Sequence, residues 1–234
     1  MLPSVPMTVI ARIRTDFTTK FGVPRQSGLV PQVKATIVFE PAYRNPDALR
    51  GLEGFSHLWL LWHFSEVQQE TWSPTVRPPR LGGNTRMGVF ATRSPYRPNP
   101  IGLSSVQLDG IEWDTPDGAV IHVSGADLMD GTPILDIKPY LAYTDSHPEA
   151  TGGFVAALGD RAVEVACPPA LLAPLPPAQR EALLGVLAHD PRPTYQNDPA
   201  RVYGMAFGGF EVRFTVADGV LHVTDIRPAT PRDN

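Results

Sequence analysis

The chain carries one cysteine, Cys167, in 234 residues. A lone thiol excludes an internal disulfide and the stapled scaffolds of small secreted domains, and a reducing compartment is expected. No stretch approaches the roughly 18 to 20 consecutive apolar residues of a membrane-spanning helix, and the N-terminus lacks a charged segment followed by an apolar core, so a soluble cytoplasmic protein is expected. No G-x-G-x-x-G follows a first strand and no βα alternation recurs, which disfavours a Rossmann-type enzyme. Metal chemistry also finds little support. His57 and His63 lie six residues apart, outside the usual zinc spacings, and are read as packed side chains. Asp127 and Asp130 lack the further ligands of a calcium loop. Asp145, Ser146 and His147 adjoin in sequence, but no nucleophile elbow accompanies them, so hydrolytic triad chemistry is set aside. The most informative absence is of acid. Between Glu70 and Asp109 there is no carboxylate, yet Arg77, Arg80, Arg86, Arg93 and Arg97 all fall there, a local charge of about +5 in a chain of net charge −4.

Proline and glycine are plentiful, at 26 and 20 residues, and favour short strands joined by many turns. β-Branched and alternating runs predict strands over 7–15, 33–40, 104–113, 119–125 and 134–140, with an Asp117-Gly118 hairpin between the third and fourth. Residues 55–64 read as a buried central strand and 87–91 as a short apolar one, while Asp47 is placed at the start of a short helix. The pattern dissolves over 144–159, where a domain boundary is placed. Beyond it a strand over 162–165 precedes a helix over 177–188, opened by prolines, and strands over 202–207, 210–216 and 220–226. These patterns predict a mainly β chain: a β-rich domain over residues 1–148 and a small C-terminal α+β domain over 160–230.

Two loops combine stiffness with polarity. Ser94-Pro95, Arg97-Pro98 and Asn99-Pro100 fix a turn system that holds Thr92, Arg93, Tyr96 and Arg97 on a rigid backbone. In Asp190-Pro191-Arg192-Pro193-Thr194-Tyr195-Gln196 the same elements recur. Arg25 and Gln26 after Pro24 offer fixed donors and an amide acceptor, suited to an adenine edge or a carboxylate. Asp136, Lys138 and Tyr140 alternate on one strand and so share a face. A sequence pI near 5.8 counts mildly against a nucleic-acid partner, but a local arginine patch can bind where the net charge would not.

The segment RMGVFATRSPYRPNPIGLS over 86–104, preceded by RPPRLGG and followed by DLMDGTPILDIKPY, resembles the tRNA methyltransferase O family, also called TsaA-like. The likeness extends from ARIRTDFTTKFGVPRQSGLV to DPRPTYQ and so covers most of the chain. It implies closure of the first domain into a β-barrel, a homodimer, and S-adenosylmethionine as the donor for N6-methylation of threonylcarbamoyladenosine, the modified base just 3′ of the anticodon in certain tRNAs. It also implies a cofactor site formed by Pro24, Arg25, Gln26, Arg93 and Leu103, with Asp130, Gly131, Thr132 and Pro133 as a further wall. Ser65 and Glu66 stand where further cofactor contacts belong, although a His-Gln pair is expected there. Asp136 is nominated as the base that takes the N6 proton. Arg77, Arg80, Arg86, Arg97 and Lys138, with Arg192 and Tyr195 from the second domain, are nominated to hold the anticodon arm. The competing reading is a non-catalytic RNA-binding barrel using the same arginines and aromatics.

Overall fold

The computed structural model describes residues 4–67, 71–158, 162–193, 196 and 198–230. Six strands close a barrel: β1 (Ala11–Arg14), β2 (Lys34–Phe39), β3 (His57–His63), β6 (Ile101–Glu112), β7 (Val120–Ser124) and β8 (Pro133–Pro139). Two more, β4 (Thr75–Val76) and β5 (Met87–Gly88), form a separate ribbon, so the barrel is smaller than the strand count suggests. Around the barrel the order is β1-β2-β7-β6-β3-β8, with every neighbouring pair antiparallel. Closure leaves no free edge, and alternate side chains fill the interior. Ile13, Ile37, Leu58, Leu60, Val106, Ile121 and Ile134 are all buried there.

Several sequence expectations change here. The first strand begins at Ala11 instead of residue 7. The apolar run 55–64 is not buried on both faces. Leu58, Leu60 and Trp62 point inward, whereas Trp59 and Leu61 are half-buried and His57 is exposed, because an antiparallel barrel strand has only one interior face. Asp47 does not open the short 3₁₀ turn Pro46–Leu49; Asn45 caps it, its Oδ1 accepting the Asp47 N–H at 3.0 Å. The strand expected over 87–91 stops at Gly88. Val89–Ala91 coil into a 3₁₀ turn in which the Val89 N–H donates to the Pro74 carbonyl and the Thr92 N–H to the Val89 carbonyl. In the β3–β6 ladder Trp62 pairs with Gly102, where a Cβ would lie 2.2 Å from the indole ring, so only glycine admits that ring.

Beyond the barrel come α1 (Ala142–Asp145) and a 3₁₀ segment over Gly153–Leu158. Then a four-stranded sheet of order β10-β11-β12-β9 forms from β9 (Glu164–Ala166), β10 (Tyr203–Phe207), β11 (Phe210–Ala217) and β12 (Val220–Pro228). The short α2 (Pro169–Leu172) and the longer α3 (Pro177–Ala188) accompany it, and α3 buries Ala182, Leu183, Val186 and Leu187. This second core is not built from the C-terminal residues alone. Phe17, Val30 and Val33, from the long β1–β2 loop, are buried in it, and Phe17 meets Phe207 edge-on at 5.4 Å. The loop carrying Pro24, Arg25 and Gln26 is therefore pinned at both ends by apolar burial, which turns a long connection into a fixed platform. Among the described residues no helix is long and apolar enough to cross a membrane.

Candidate functional site

A groove of about 1040 Å³ opens between the proline-rich turn after β5, the ribbon, the segment around Phe154 and the loop after α3. Arg25, Gln26, Arg93 and Arg192 all line it. They come from three segments far apart in sequence, and each is positioned by identifiable bonds. Arg25 Nη2 donates to the carbonyls of Asp190 at 2.9 Å and Arg192 at 3.1 Å, tying the β1–β2 loop to the loop after α3. Arg93 Nη1 donates to Gln26 Oε1, and the Gln26 amide donates back to the Arg25 carbonyl. Arg192 forms a two-pronged pair with Asp190, Nε to Oδ1 at 2.8 Å and Nη2 to Oδ2 at 2.9 Å, with side chains only 12% and 8% exposed. That carboxylate raises the Arg192 pKa further. Its guanidinium carbon also lies 5.9 Å from the Tyr203 ring centroid. A second pocket of about 640 Å³, containing Pro24, shares Arg25, Gln26, Val155 and Pro191 with the groove.

The chemistry of this lining suits an adenosyl amino acid. Arg93 is exposed, and among the described residues Gln26 is its one hydrogen-bond partner, so most of its N–H groups are left for a carboxylate or a ribose. Val76, Pro78 and Pro79 supply apolar wall for a base. Arg25 and Arg192 are already spent on protein acceptors, and their part is to hold the wall in place.

Beneath this loop lies a carboxylate that the sequence reading nominated for no site. Asp127 is half-buried and accepts from Ser104 Oγ at 2.5 Å, and Ser104 Oγ accepts from Trp62 Nε1 at 2.9 Å inside the barrel. Asp127 also accepts the Ser27 backbone N–H and feels the Arg93 charge, yet burial dominates and raises its pKa. Ser27 Oγ in turn accepts the Ser105 N–H at 3.2 Å. The barrel wall thus reaches the Arg25-Gln26 loop through one chain of polar contacts. The signal in the sequence was an acid flanked by Ala126 and Leu128, both buried, since an acid among apolar neighbours needs donors.

Other nominated residues stand apart from the groove. Leu103 is exposed on the outer barrel face and pairs across the ladder with Leu61, which pairs on its other side with Asp136. Leu103 and Asp136 therefore lie in one row across β6, β3 and β8. Asp136 is joined to Lys138 at 2.8 Å. Ser65 and Glu66 are exposed in the turn leaving β3. The 130–133 turn is bound to β1 and the loop after it: Asp130 Oδ1 accepts the Thr15 N–H at 3.0 Å, Gly131 N–H donates to Ile13 at 2.8 Å, and Thr132 Oγ1 donates to the Met129 carbonyl at 2.7 Å. Pro133 opens β8 and is buried. Arg97 is half-buried and donates to the Thr92 carbonyl at 3.2 Å, so it braces its own turn. Arg77 and Arg86 are exposed on the ribbon. Tyr195 and the side chain of Arg80 lie outside the described residues. Asp145, from the Asp-Ser-His run, accepts from Trp59 Nε1 and the Leu141 N–H, both at 2.9 Å, and these bonds lower its pKa.

Known proteins match both halves of this architecture. The tRNA-methyltransferase O N-terminal domain matches residues 12–146 and the TrmO C-terminal domain matches residues 163–229. A tRNA (adenine(37)-N6)-methyltransferase of Escherichia coli (strain K12) is 42% identical over 227 residues, covering 94% of this chain and 96% of that protein. Another protein of that name, from Eikenella corrodens, is 50% identical over 167 residues, covering 71% of this chain and 93% of its own length. A crystal structure of TrmO from Pseudomonas aeruginosa superposes with a TM-score of 0.77 at 32% identity, covering 96% of this chain and all of that one. With a closed six-stranded barrel, a small C-terminal sheet and matches that run nearly end to end, the chain belongs to the tRNA methyltransferase O family.

Proposed function

We propose that this protein transfers the methyl group of S-adenosylmethionine to the N6 of adenosine 37 in tRNA, and that the adenosine carries a threonylcarbamoyl group when it is methylated. The observation that carries the reading is the convergence of Arg25, Gln26, Arg93 and Arg192 on one groove, within a fold shared with enzymes named for that reaction. S-adenosylmethionine supplies an electrophilic sulfonium methyl when bound. Arg93 and Gln26 hold the donor, and Arg25, fixed to the loop after α3, keeps the wall from shifting. Such positioning is the main service a transferase of this kind renders, since holding reactants in register supplies about 7 to 11 kcal/mol of barrier reduction. Arg77 and Arg86 attract the anticodon-arm phosphates, whereas Arg192, nominated with them, is neutralised by Asp190 and serves the wall.

The reading includes a cytoplasmic homodimer. Leu103 and Asp136 share a row on the outer barrel face, whereas Arg93 and Gln26 line the groove. A second copy that set its outer row against this groove would unite the two groups in one site, with Asp136 placed to accept the N6 proton. Calorimetric titration with S-adenosylmethionine in EDTA, followed by methyl transfer to tRNA with and without the threonylcarbamoyl group, tests the donor and the acceptor. For the dimer, Arg93→Ala and Leu103→Glu chains are mixed. Recovery of activity from two inactive parents supports shared sites, and none from a mixture that still dimerises refutes them.

A further inference from the structure

The ribbon of β4 and β5 carries an arrangement that cofactor binding does not use. Thr75 pairs with Gly88 and Val76 with Met87, so the next positions outward bring Arg77 opposite Arg86. Like charges facing across an antiparallel pair are destabilising unless an anion separates them. Arg86 spends one bond on Thr75 Oγ1 at 2.9 Å, and neither arginine has an ion-pair partner among the described residues. At the opposite end of the ribbon, Trp72 and Phe90 are 49% and 73% exposed with ring centroids 6.2 Å apart. Phe90 is not exposed for want of structure. Its neighbour Val89 is 1% exposed and bonded through its N–H to the Pro74 carbonyl, and Thr92 Oγ1 closes the turn on the Val89 carbonyl at 2.8 Å. A rigid turn therefore holds a large apolar ring in water at the rim of the groove that also holds Arg93.

Charge complementarity identifies the occupant. The acid-free arginine segment surrounds this aromatic pair, which suits a polyanion with flat, unpaired faces. We propose that Trp72 and Phe90 form a stacking platform for an unpaired anticodon-loop base flanking the methylated adenosine, while Arg77 and Arg86 take the adjoining phosphates. The proposal rests on the reading that the acceptor is tRNA. Loop bases are already accessible, so no duplex has to be opened to reach the platform.

The test measures binding of a synthetic anticodon stem-loop RNA, and of a duplex RNA lacking the loop, across a range of salt. A Trp72→Ala/Phe90→Ala variant is expected to bind the stem-loop roughly 5- to 100-fold more weakly, the loss of one stacked base. Its salt slope, duplex affinity, S-adenosylmethionine affinity and Tm should stay unchanged, because the rings are exposed and uncharged. Arg77→Ala/Arg86→Ala should instead flatten the slope for both RNAs, and Trp72→Phe/Phe90→Tyr should restore stem-loop binding. Wild-type stem-loop affinity in the alanine variant overturns the platform. So does an equal loss of cofactor affinity, which would assign Phe90 to the donor pocket, or a change in oligomeric mass, which would assign the rings to an interface between copies. If the wild-type protein shows no salt-dependent binding to either RNA, the tRNA reading itself fails and the platform with it.

Discussion

Asp190 is the residue on which the groove wall turns, and Asp190→Ala should show this in both stability and binding. Its carboxylate makes two bonds to the Arg192 guanidinium at 2.8 and 2.9 Å, between side chains 8% and 12% exposed, and also accepts the Arg192 backbone N–H at 3.3 Å. Removing one partner of so enclosed a pair leaves a largely desolvated guanidinium, which costs about 3 to 5 kcal/mol. The backbone adds to this, since Asp190 has φ of 45°, a conformation aspartate tolerates and alanine resists by about 1 kcal/mol. In a chain of this length the sum corresponds to a fall in Tm on the order of 10 °C. The function should suffer separately, because Arg25 donates to the Asp190 and Arg192 carbonyls and would lose its anchor as the loop relaxes. Scanning calorimetry gives the first number, and titration with S-adenosylmethionine well below the lowered Tm gives the second. If Asp190→Ala melts within about 2 °C of wild type, the ion pair is not the wall's support and the reasoning is wrong.

Three further outcomes follow from the same contacts. Arg93→Ala should weaken S-adenosylmethionine binding by roughly ten- to a hundredfold, the loss of a charge-assisted bond worth about 1.5 to 3 kcal/mol. Because Arg93 is exposed, its melting curve should not move, and unchanged turnover in a folded variant would remove it from the site. Burial raises the pKa of Asp127, so its ionisation opposes folding. That cost is absent below the unfolded value of about 3.9, grows as pH rises through the folded value and is constant above it. Asp127→Asn should therefore gain stability relative to wild type between about pH 4 and pH 7, and urea midpoints that run parallel across this window would refute the assignment. Gly102→Ala should lose about 1 to 3 kcal/mol or more, since its Cβ would fall 2.2 Å from the buried Trp62 ring; a denaturation midpoint equal to wild type would show that the ring can shift.

How much of this was legible in the sequence depended on how local the signal was. The helix Pro177–Ala188 emerged residue for residue because prolines open it and Leu183 and Leu187 share a face. The hairpin between β6 and β7 was announced by Asp117-Gly118, and Gly118 has the positive φ that such a turn needs. Long-range choices left weaker marks. The end of β5 at Gly88 depends on Val89 bonding to Pro74, fifteen residues earlier. The mixed core, in which Phe17 and Val30 of the barrel's own loop pack beneath α3 and the second sheet, has no periodicity to reveal it. The arginines were visible as a cluster, but their differing duties were not: Arg192 is bound to Asp190, Arg97 to its own turn, and Arg93 is left exposed with Gln26. The Trp62–Ser104–Asp127 chain was hidden for the same reason, since it joins three segments that only barrel closure brings together.

The central claim is that this groove methylates one adenosine beside the anticodon. Mass spectrometry of nucleosides from tRNA of cells with and without the gene tests it most directly. The account predicts that a species heavier than threonylcarbamoyladenosine by one methyl group disappears when the gene is deleted, returns with the wild-type protein, and does not return with Arg93→Ala at equal abundance. An unchanged nucleoside profile in the deleted strain would contradict it.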